Sequence, residues 1–114
     1  MKTIILDNDI GTNPDDFFSL LMLLNSNNIN LPLVISGNNY PFLRARLAKK
    51  IIDQNGREGV VVVSGEPAGH IDFHAQEFIE GYESEINSDY KSEIKKVLDN
   101  HGELFTSAFR VYQI

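Results

Sequence analysis

Cysteine is absent from this 114-residue sequence, and both positive charge and long apolar runs are scarce. The lack of cysteine excludes disulfides, thiol chemistry and cysteine-ligated zinc. No apolar run approaches the roughly 20 residues of a membrane-spanning helix, and no signal peptide precedes the first strand-like run, so we expect a soluble cytoplasmic protein without a membrane partner. Lys and Arg number 10 against 16 Asp and Glu, and the net charge of −6 argues against nucleic acid as a partner.

The apolar residues that are present, 42% of the chain, fall in a pattern that predicts one α/β domain over residues 1–114. Three apolar runs without polar alternation, at 2–6, 31–36 and 60–63, indicate strands covered on both faces. Helices are expected between them at 15–24 and 41–54. Strand–helix–strand connections require crossovers, so the predicted fold class is a three-layer α/β/α domain with a mainly parallel sheet of Rossmann-like order.

Sequence signals at the ends of the helices support this assignment. Asn13 and Pro14 suit the N-cap and first position of the first helix, whose nearly all-apolar body predicts that it is largely buried. In the second helix, basic residues are expected to form a solvated face rather than a phosphate site; they are Arg44, Arg46, Lys49 and Lys50. Farther along, the pattern predicts helices at 73–86 and 89–100 and the start of a fourth strand at 103–106.

Four aspartates surround the end of the first predicted strand. Residues two apart in extended backbone point the same way, so Asp7 and Asp9 face one spot above the strand edge, and the next helix returns Asp15 and Asp16 to it. Gly11 permits a tight turn between the two pairs. Their oxygens suit Ca²⁺, or Mg²⁺, better than zinc. In an alternative interpretation, Asp15 and Asp16 complement the helix dipole and Asp7 only ends a strand.

This acidic loop resembles the amino-terminal signature of the inosine–uridine preferring nucleoside hydrolases, which is DxDxG followed by a DD pair and an apolar helix. The matching residues are Ile4-Ile5-Leu6-Asp7-Asn8-Asp9-Ile10-Gly11 and then Asp15-Asp16-Phe17-Phe18-Ser19-Leu20. Further on, Ile35-Ser36-Gly37-Asn38 and Val60-Val61-Val62-Val63-Ser64-Gly65-Glu66-Pro67 are similar to the family's second and third strands. The resemblance implies that residues 1–114 correspond to the amino-terminal part of a nucleoside hydrolase-like fold.

For the site, the resemblance implies hydrolysis of the N-glycosidic bond of a ribonucleoside by a calcium-bound water. Asp9 and Asp16 would be calcium ligands, supported by Asp7 as a further member of the metal cluster. Asp9 would also orient or deprotonate the attacking water. Asp15 would bind a ribose hydroxyl, and Asn38 would line the sugar pocket.

Family members are much longer than this sequence. Where their fourth strand supplies a backbone calcium ligand, this chain reads Ser107-Ala108-Phe109-Arg110-Val111-Tyr112-Gln113-Ile114, and their late aspartate and histidine have no counterpart in it. An incomplete coordination shell binds calcium weakly. We therefore expect the isolated chain to be a poor catalyst or none.

Two other functions are compatible with the sequence. A haloacid dehalogenase-type phosphatase also places DxD after a strand, but that motif continues with threonine or Gly-Thr, whereas Ile10 stands here. A non-catalytic module would use the uncovered edge and apolar helix faces of a short α/β sheet, which predicts a homo-oligomer or a partner chain.

The histidines offer a weaker alternative site. His70 and His74 would share one face of a helix and could form a metal pair, although surface or packing roles are commoner for such residues. His101 suits a helix C-terminus.

Overall fold

The computed structural model describes residues 2–100 and 105–108, with side chains described for 2–100. The elements in chain order are β1 (Lys2–Asn8), α1 (Pro14–Leu24), β2 (Ile29–Asn38), α2 (Pro41–Gln54), β3 (Val61–Pro67), α3 (Gln76–Ile79), α4 (Tyr90–Asn100) and β4 (Phe105–Ala108). The four described strands form one sheet in the order β3-β2-β1-β4, and every neighbouring pair is parallel. The α/β class and the parallel sheet are thus confirmed.

Side chains alternate between the two faces of the sheet, and each face has its own core. Ile4, Leu6 and Val34 pack with the buried residues of α1 and α2 on one side. Ile5 and Leu33 pack with α4 on the other. The helices therefore form layers above and below the sheet, as a run of apolar residues without alternation predicts.

Strand β2 contains a proline although it is hydrogen-bonded to a strand on each side. Opposite Thr3 and Ile5 of β1, the paired residues of β2 are Asn30 and Leu33, so β2 carries one extra residue here. Pro32 lies in this bulge, where its missing N–H removes no regular ladder hydrogen bond.

The prediction that α1 is largely buried is wrong. Its buried residues are Asp16, Leu20 and Leu24, which lie four apart on one stripe. Phe18 and Met22 are 58% and 73% exposed, and Phe17 is 37% exposed. Leu21 and Leu23 are partly buried against the same core, whereas the phenylalanines and Met22 face outward.

The predicted helix at 73–86 is also wrong in extent, because only Gln76–Ile79 is helical. Before it, the backbone N–H of His74 is held by the carbonyl of Gly11. After it, Glu80 is extended and Gly81 has φ +73°. Contacts with the acidic loop and a left-handed glycine therefore override the helical spacing of the apolar residues.

The remaining predicted elements are found close to their expected places. Helix α2 has the predicted bounds, with Asn55 as its C-cap and Gly56 at φ +68°. Helix α4 begins one residue later than predicted. The fourth strand is present at Phe105–Ala108, whereas positions 103 and 104 of its predicted start lie outside the described residues. None of the helices in the described part of the chain is long and apolar enough to cross a membrane.

Candidate functional site

The carboxyl ends of β1 and β2 form one wall of a polar cavity of about 260 Å³. In parallel α/β sheets this edge is where ligands bind. The cavity is lined by Asp7, Asn8, Asp9, Asn13, Asp15, Asp16 and Gly37. All four aspartates of the predicted site therefore border one space, together with two asparagines.

Helix α1 aims its first turn at this cavity. Asn13 is the N-cap in extended conformation and Pro14 is the first helical residue, as predicted, although the Asn13 side chain makes no capping hydrogen bond. Asp15 is exposed at the cavity, whereas Asp16 is only 4% exposed. The Asp16 Oδ1 atom is buried without a hydrogen-bond partner. A buried carboxylate oxygen without a partner is costly, and it marks a place where a proton or a cation is required.

Burial raises the pKa of Asp16 to about 7, and two effects of the Asp9 side chain, a hydrogen bond and its charge, contribute to this increase. The backbone of Asp9 opposes this by donating a hydrogen bond, and the charge of Asp15 adds a smaller increase. Two carboxyl groups in contact share a proton until a positive charge separates them. Near neutral pH, the Asp16 carboxyl is therefore partly protonated.

Asn38 reaches this pair from β2. Its Nδ2 donates to Asp9 Oδ2 at 3.0 Å, and its Oδ1 accepts from the N–H of Asn39 at 2.7 Å. Asn38 has φ +70° and is 2% exposed. Gly69 lies against it so closely that a Cβ there would overlap the Asn38 amide. The structure thus places Asn38 behind Asp9, which it orients, rather than in the cavity wall.

Asp7 and Asn8 end strand β1 inside the protein, at 7% and 5% exposure, and both border the cavity. Asn8 Oδ1 lies 3.4 Å from Ser36 Oγ and 3.5 Å from the N–H of Ile10, which are long hydrogen bonds. Its Nδ2 is buried without a partner. Asn8 is a site residue that the sequence analysis missed, and its place between two aspartates of a strand end was the available signal.

The prediction that Arg44 belongs to a solvated face of α2 is wrong. Instead of facing solvent, it is fully buried, and its guanidinium donates to the backbone oxygens of Asp9, at 2.9 Å, and of Ile10, at 3.2 Å. The Cζ atom of Arg44 lies 5.7 Å from the centroid of the Phe73 ring. Burial lowers the pKa of Arg44, and the charges of Asp9 and Asp16 oppose that shift. Arg44 therefore supports the acidic loop from inside the protein.

Ca²⁺ is the ion that the sequence resemblance implies for this site. All candidate donors are oxygens, which suits a hard cation, and the partnerless Asp16 oxygen is in place to bind one. In residues 2–100 and 105–108, however, no three Asp, Glu or His side chains are gathered closely enough to hold a metal ion. The Asp9–Asp16 pair supplies oxygens of the kind that Ca²⁺ prefers, and the other carboxylates border the same cavity without closing around one point.

His70 and His74 do not share a helix face, because residues 70–75 have no regular structure. Both are exposed, and the described contact of His74 is made by its backbone. His101 lies outside the described residues. His70 and His74 therefore take no part in lining the cavity.

Comparisons of the chain with protein-family models, with curated proteins and with solved structures find no significant match.

Proposed function

We propose that this protein carries a divalent-cation site of the nucleoside hydrolase type, at which the N-glycosidic bond of a ribonucleoside is hydrolysed. One observation carries the proposal: the buried carboxyl of Asp16 touches Asp9 and leaves one oxygen partnerless at the carboxyl edge of a parallel sheet. The strand order 3-2-1-4 and the acidic loop after β1 support a nucleoside hydrolase-like fold as part of the same proposal.

The roles of the residues follow from their positions. Asp9 and Asp16 would hold Ca²⁺, or Mg²⁺, with Asp7 beside them on β1. The bound ion supplies Lewis acidity that lowers the pKa of water. Asp9, fixed by Asn38, orients the attacking water and takes its proton. Asp15 is exposed at the cavity and is available for a ribose hydroxyl.

The proposed reaction divides one water molecule between two products. The water oxygen bonds to the anomeric carbon of ribose as the bond from that carbon to the base nitrogen breaks. The water oxygen keeps one hydrogen in the new ribose hydroxyl, and its other proton passes to Asp9. The base leaves with the bonding electron pair and takes up one proton from solvent, and Asp9 returns its proton to solvent. Carboxylates around the sugar stabilise the positive charge that develops on it.

Calorimetric titration with Ca²⁺, with and without ribose, tests the proposal. We expect saturable binding that Asp16→Ala weakens by at least about tenfold, because a ligand is lost. Asp53→Ala is the matched control, since Asp53 is an exposed carboxylate paired with Lys49 on α2. Absence of Ca²⁺ and Mg²⁺ binding to the unaltered chain, or equal effects of the two substitutions, would refute the cation site.

Release of ribose from purine and pyrimidine ribonucleosides tests the reaction itself. We expect slow turnover by the chain alone that requires Ca²⁺ and disappears with Asp9→Asn. Phosphate release from a phosphate ester instead, abolished by Asp7→Asn, would favour the phosphatase. The burial of Asp7, at 7% exposure, counts against a nucleophilic role for it.

A second candidate function is that of a non-catalytic assembly module. It is favoured by the outward apolar residues of α1, of which Phe18 and Met22 are more than half exposed. Exposed apolar side chains grouped on one surface suit a second copy of the chain or another protein.

A further inference from the structure

One buried side chain, that of Arg44, joins the acidic loop to two other parts of the chain. The Arg44 guanidinium meets five acceptors at 2.6 to 3.2 Å, from three separate stretches of chain. Those acceptors are the backbone oxygens of Asp9, Ile10, Asn39 and Ile71 and the hydroxyl of Thr12. A planar fork with five N–H donors is suited to joining them.

We propose that Arg44 is the positioning residue of the candidate site: by holding the backbone of Asp9 and Ile10 from beneath, it keeps the Asp9 carboxylate against Asp16. Arg44 does not border the cavity, and its contacts with the loop are to backbone oxygens and a hydroxyl rather than to carboxylates. It therefore acts through Asp9 and leaves the carboxylate oxygens available to a ligand.

The segment 68–75, named here the strap, shows what Arg44 holds on its other side. The guanidinium Nη2 donates to the carbonyl of Ile71 at 2.7 Å. The strap also meets the loop directly, because Thr12 Oγ1 donates to the carbonyl of Asp72 and the N–H of His74 donates to the carbonyl of Gly11. Gly11 has φ +119°, and a Cβ there would overlap the Phe73 ring. Loop, strap and arginine therefore form one packed unit.

Arg57 provides a control within the same chain. Its guanidinium also donates to two backbone oxygens, those of Leu24 at 2.6 Å and Ile29 at 3.0 Å. These lie at the end of α1 and the start of β2, away from the cavity. Replacing either arginine by methionine removes charge-assisted hydrogen bonds to backbone oxygens, four for Arg44 and two for Arg57. Only Arg44→Met should affect the acidic loop.

The role of Arg44 rests on the proposed function for calcium binding but not for the structure of the loop. Two measurements therefore test these two parts independently. Amide hydrogen exchange without metal, corrected for global stability, reports the loop itself. In Arg44→Met we expect the amides of Ile10 and His74 to exchange at least about tenfold faster, whereas Arg57→Met leaves them unchanged. Equal exchange at these amides in both variants would overturn the role of Arg44, whether or not the protein binds calcium.

Calcium affinity is the second readout and depends on the proposed function. Arg44→Met should weaken binding by about 10- to 100-fold, the usual range for residues that orient metal ligands, and Arg57→Met should not. Millimolar guanidinium added to Arg44→Ala should restore part of the affinity. If the unaltered chain binds no cation, the proposed function fails and the exchange measurement alone decides on Arg44. Unchanged affinity in Arg44→Met, in a chain that binds calcium, would contradict the inference.

Thr12→Val keeps the test decisive if the Arg44 variants do not fold. It removes the hydroxyl that accepts from Arg44 Nη1 at 3.0 Å and donates to Asp72, with little change of shape. We expect exchange at His74 to rise at least about threefold, because both hydrogen bonds of the hydroxyl are lost. No change at His74 in a folded Thr12→Val protein would contradict the proposal.

Discussion

The two edges of the sheet, where its strands begin and where they end, are built differently. At the amino edge, Arg57 binds the carbonyls of Leu24 and Ile29, and the N–H of Lys2 donates to Asn28. At the carboxyl edge, a buried amide nitrogen of Asn8 and a carboxylate oxygen of Asp16 have no partner. The hydrogen bonds at the amino edge stabilise the fold. The buried polar atoms at the carboxyl edge are unsatisfied, which is the kind of exception that functional sites show.

The same contrast holds for backbone conformation. Asn38 and Tyr40 are the described non-glycine residues with positive φ; Asn38 ends β2 and Tyr40 lies two residues beyond it. Such conformations cost about 1–3 kcal/mol each and persist where the surrounding structure fixes them. Strain, unpaired polar atoms and a shared carboxyl pair thus occur together at one edge, which is the edge assigned to function.

The largest expected effect concerns the carboxyl pair. The pKa of Asp16 is about 7 in the folded protein and near 3.8 in the unfolded chain, so between these values the folded state holds the extra proton. Without metal, stability should therefore fall as pH rises from about 4 to 7, by up to about 1.4 kcal/mol per pH unit, and then level off. Urea unfolding in a chelator across this range measures the slope.

Asp16→Asn should remove most of that slope and make the protein more stable at pH 8. Asp53→Asn is the control. The pKa of Asp53 is lowered by hydrogen bonds from Lys49 and Tyr82, so it titrates below this window and its loss should leave the slope intact. A flat profile for the unaltered chain would contradict the assignment of a shared, buried carboxyl pair.

A smaller effect on stability is expected from substituting two glycines, one just before the start of β3 and one just after its end. Gly69 has φ +76° and lies against the Asn38 amide, whereas Gly59 has φ +79° with open space around the position of a Cβ. Alanine at either site costs about 1–2 kcal/mol of backbone strain. Gly69→Ala must also displace Asn38, so it should cost more by denaturant unfolding and should weaken Ca²⁺ binding.

Equal stability losses in the two glycine variants, with calcium affinity untouched in both, would mean that Asn38 does not fix Asp9. A larger loss in Gly59→Ala would contradict the comparison of the two edges directly.

The smallest stability effect is expected on the outer face of α1. Phe18→Ser with Met22→Ser should change the free energy of unfolding by no more than about 0.5 kcal/mol per site, since both side chains are exposed. Light scattering of the unaltered chain and this variant tests the assembly module. If the unaltered chain is monomeric at high concentration, that result would count against the assembly module. If an oligomer forms and persists in the double variant, its interface lies outside this face of α1.

The sequence predicts elements well where local signals set them. Helix α2 begins at Pro41 and ends before Asn55-Gly56, and its bounds were correct. The segment 73–86 has helical spacing too, but contacts with Gly11 and the left-handed Gly81 decide its structure. Those contacts join residues some 60 positions apart, such as Thr12 and Asp72, which no local pattern reveals.

The candidate site was predictable in its carboxylates and not in its support. Asp7, Asp9, Asp15 and Asp16 border one cavity as expected from strand ends at a parallel sheet edge. Arg44 was misassigned because its charge suggested solvent, although it stands four and eight residues before the buried Ala48 and Ile52. That spacing places Arg44 on the buried stripe of α2 and was the signal for a buried cation.

The most direct test of the central claim is to count the protons released when calcium binds. Calorimetry at pH 6 in two buffers of different ionisation enthalpy gives this number. Since Asp16 is mostly protonated at that pH, the account predicts release of close to one proton per ion in the unaltered chain and none in Asp16→Asn. Calcium binding without proton release, or with the same release in Asp16→Asn, would contradict a cation site at the Asp9–Asp16 pair.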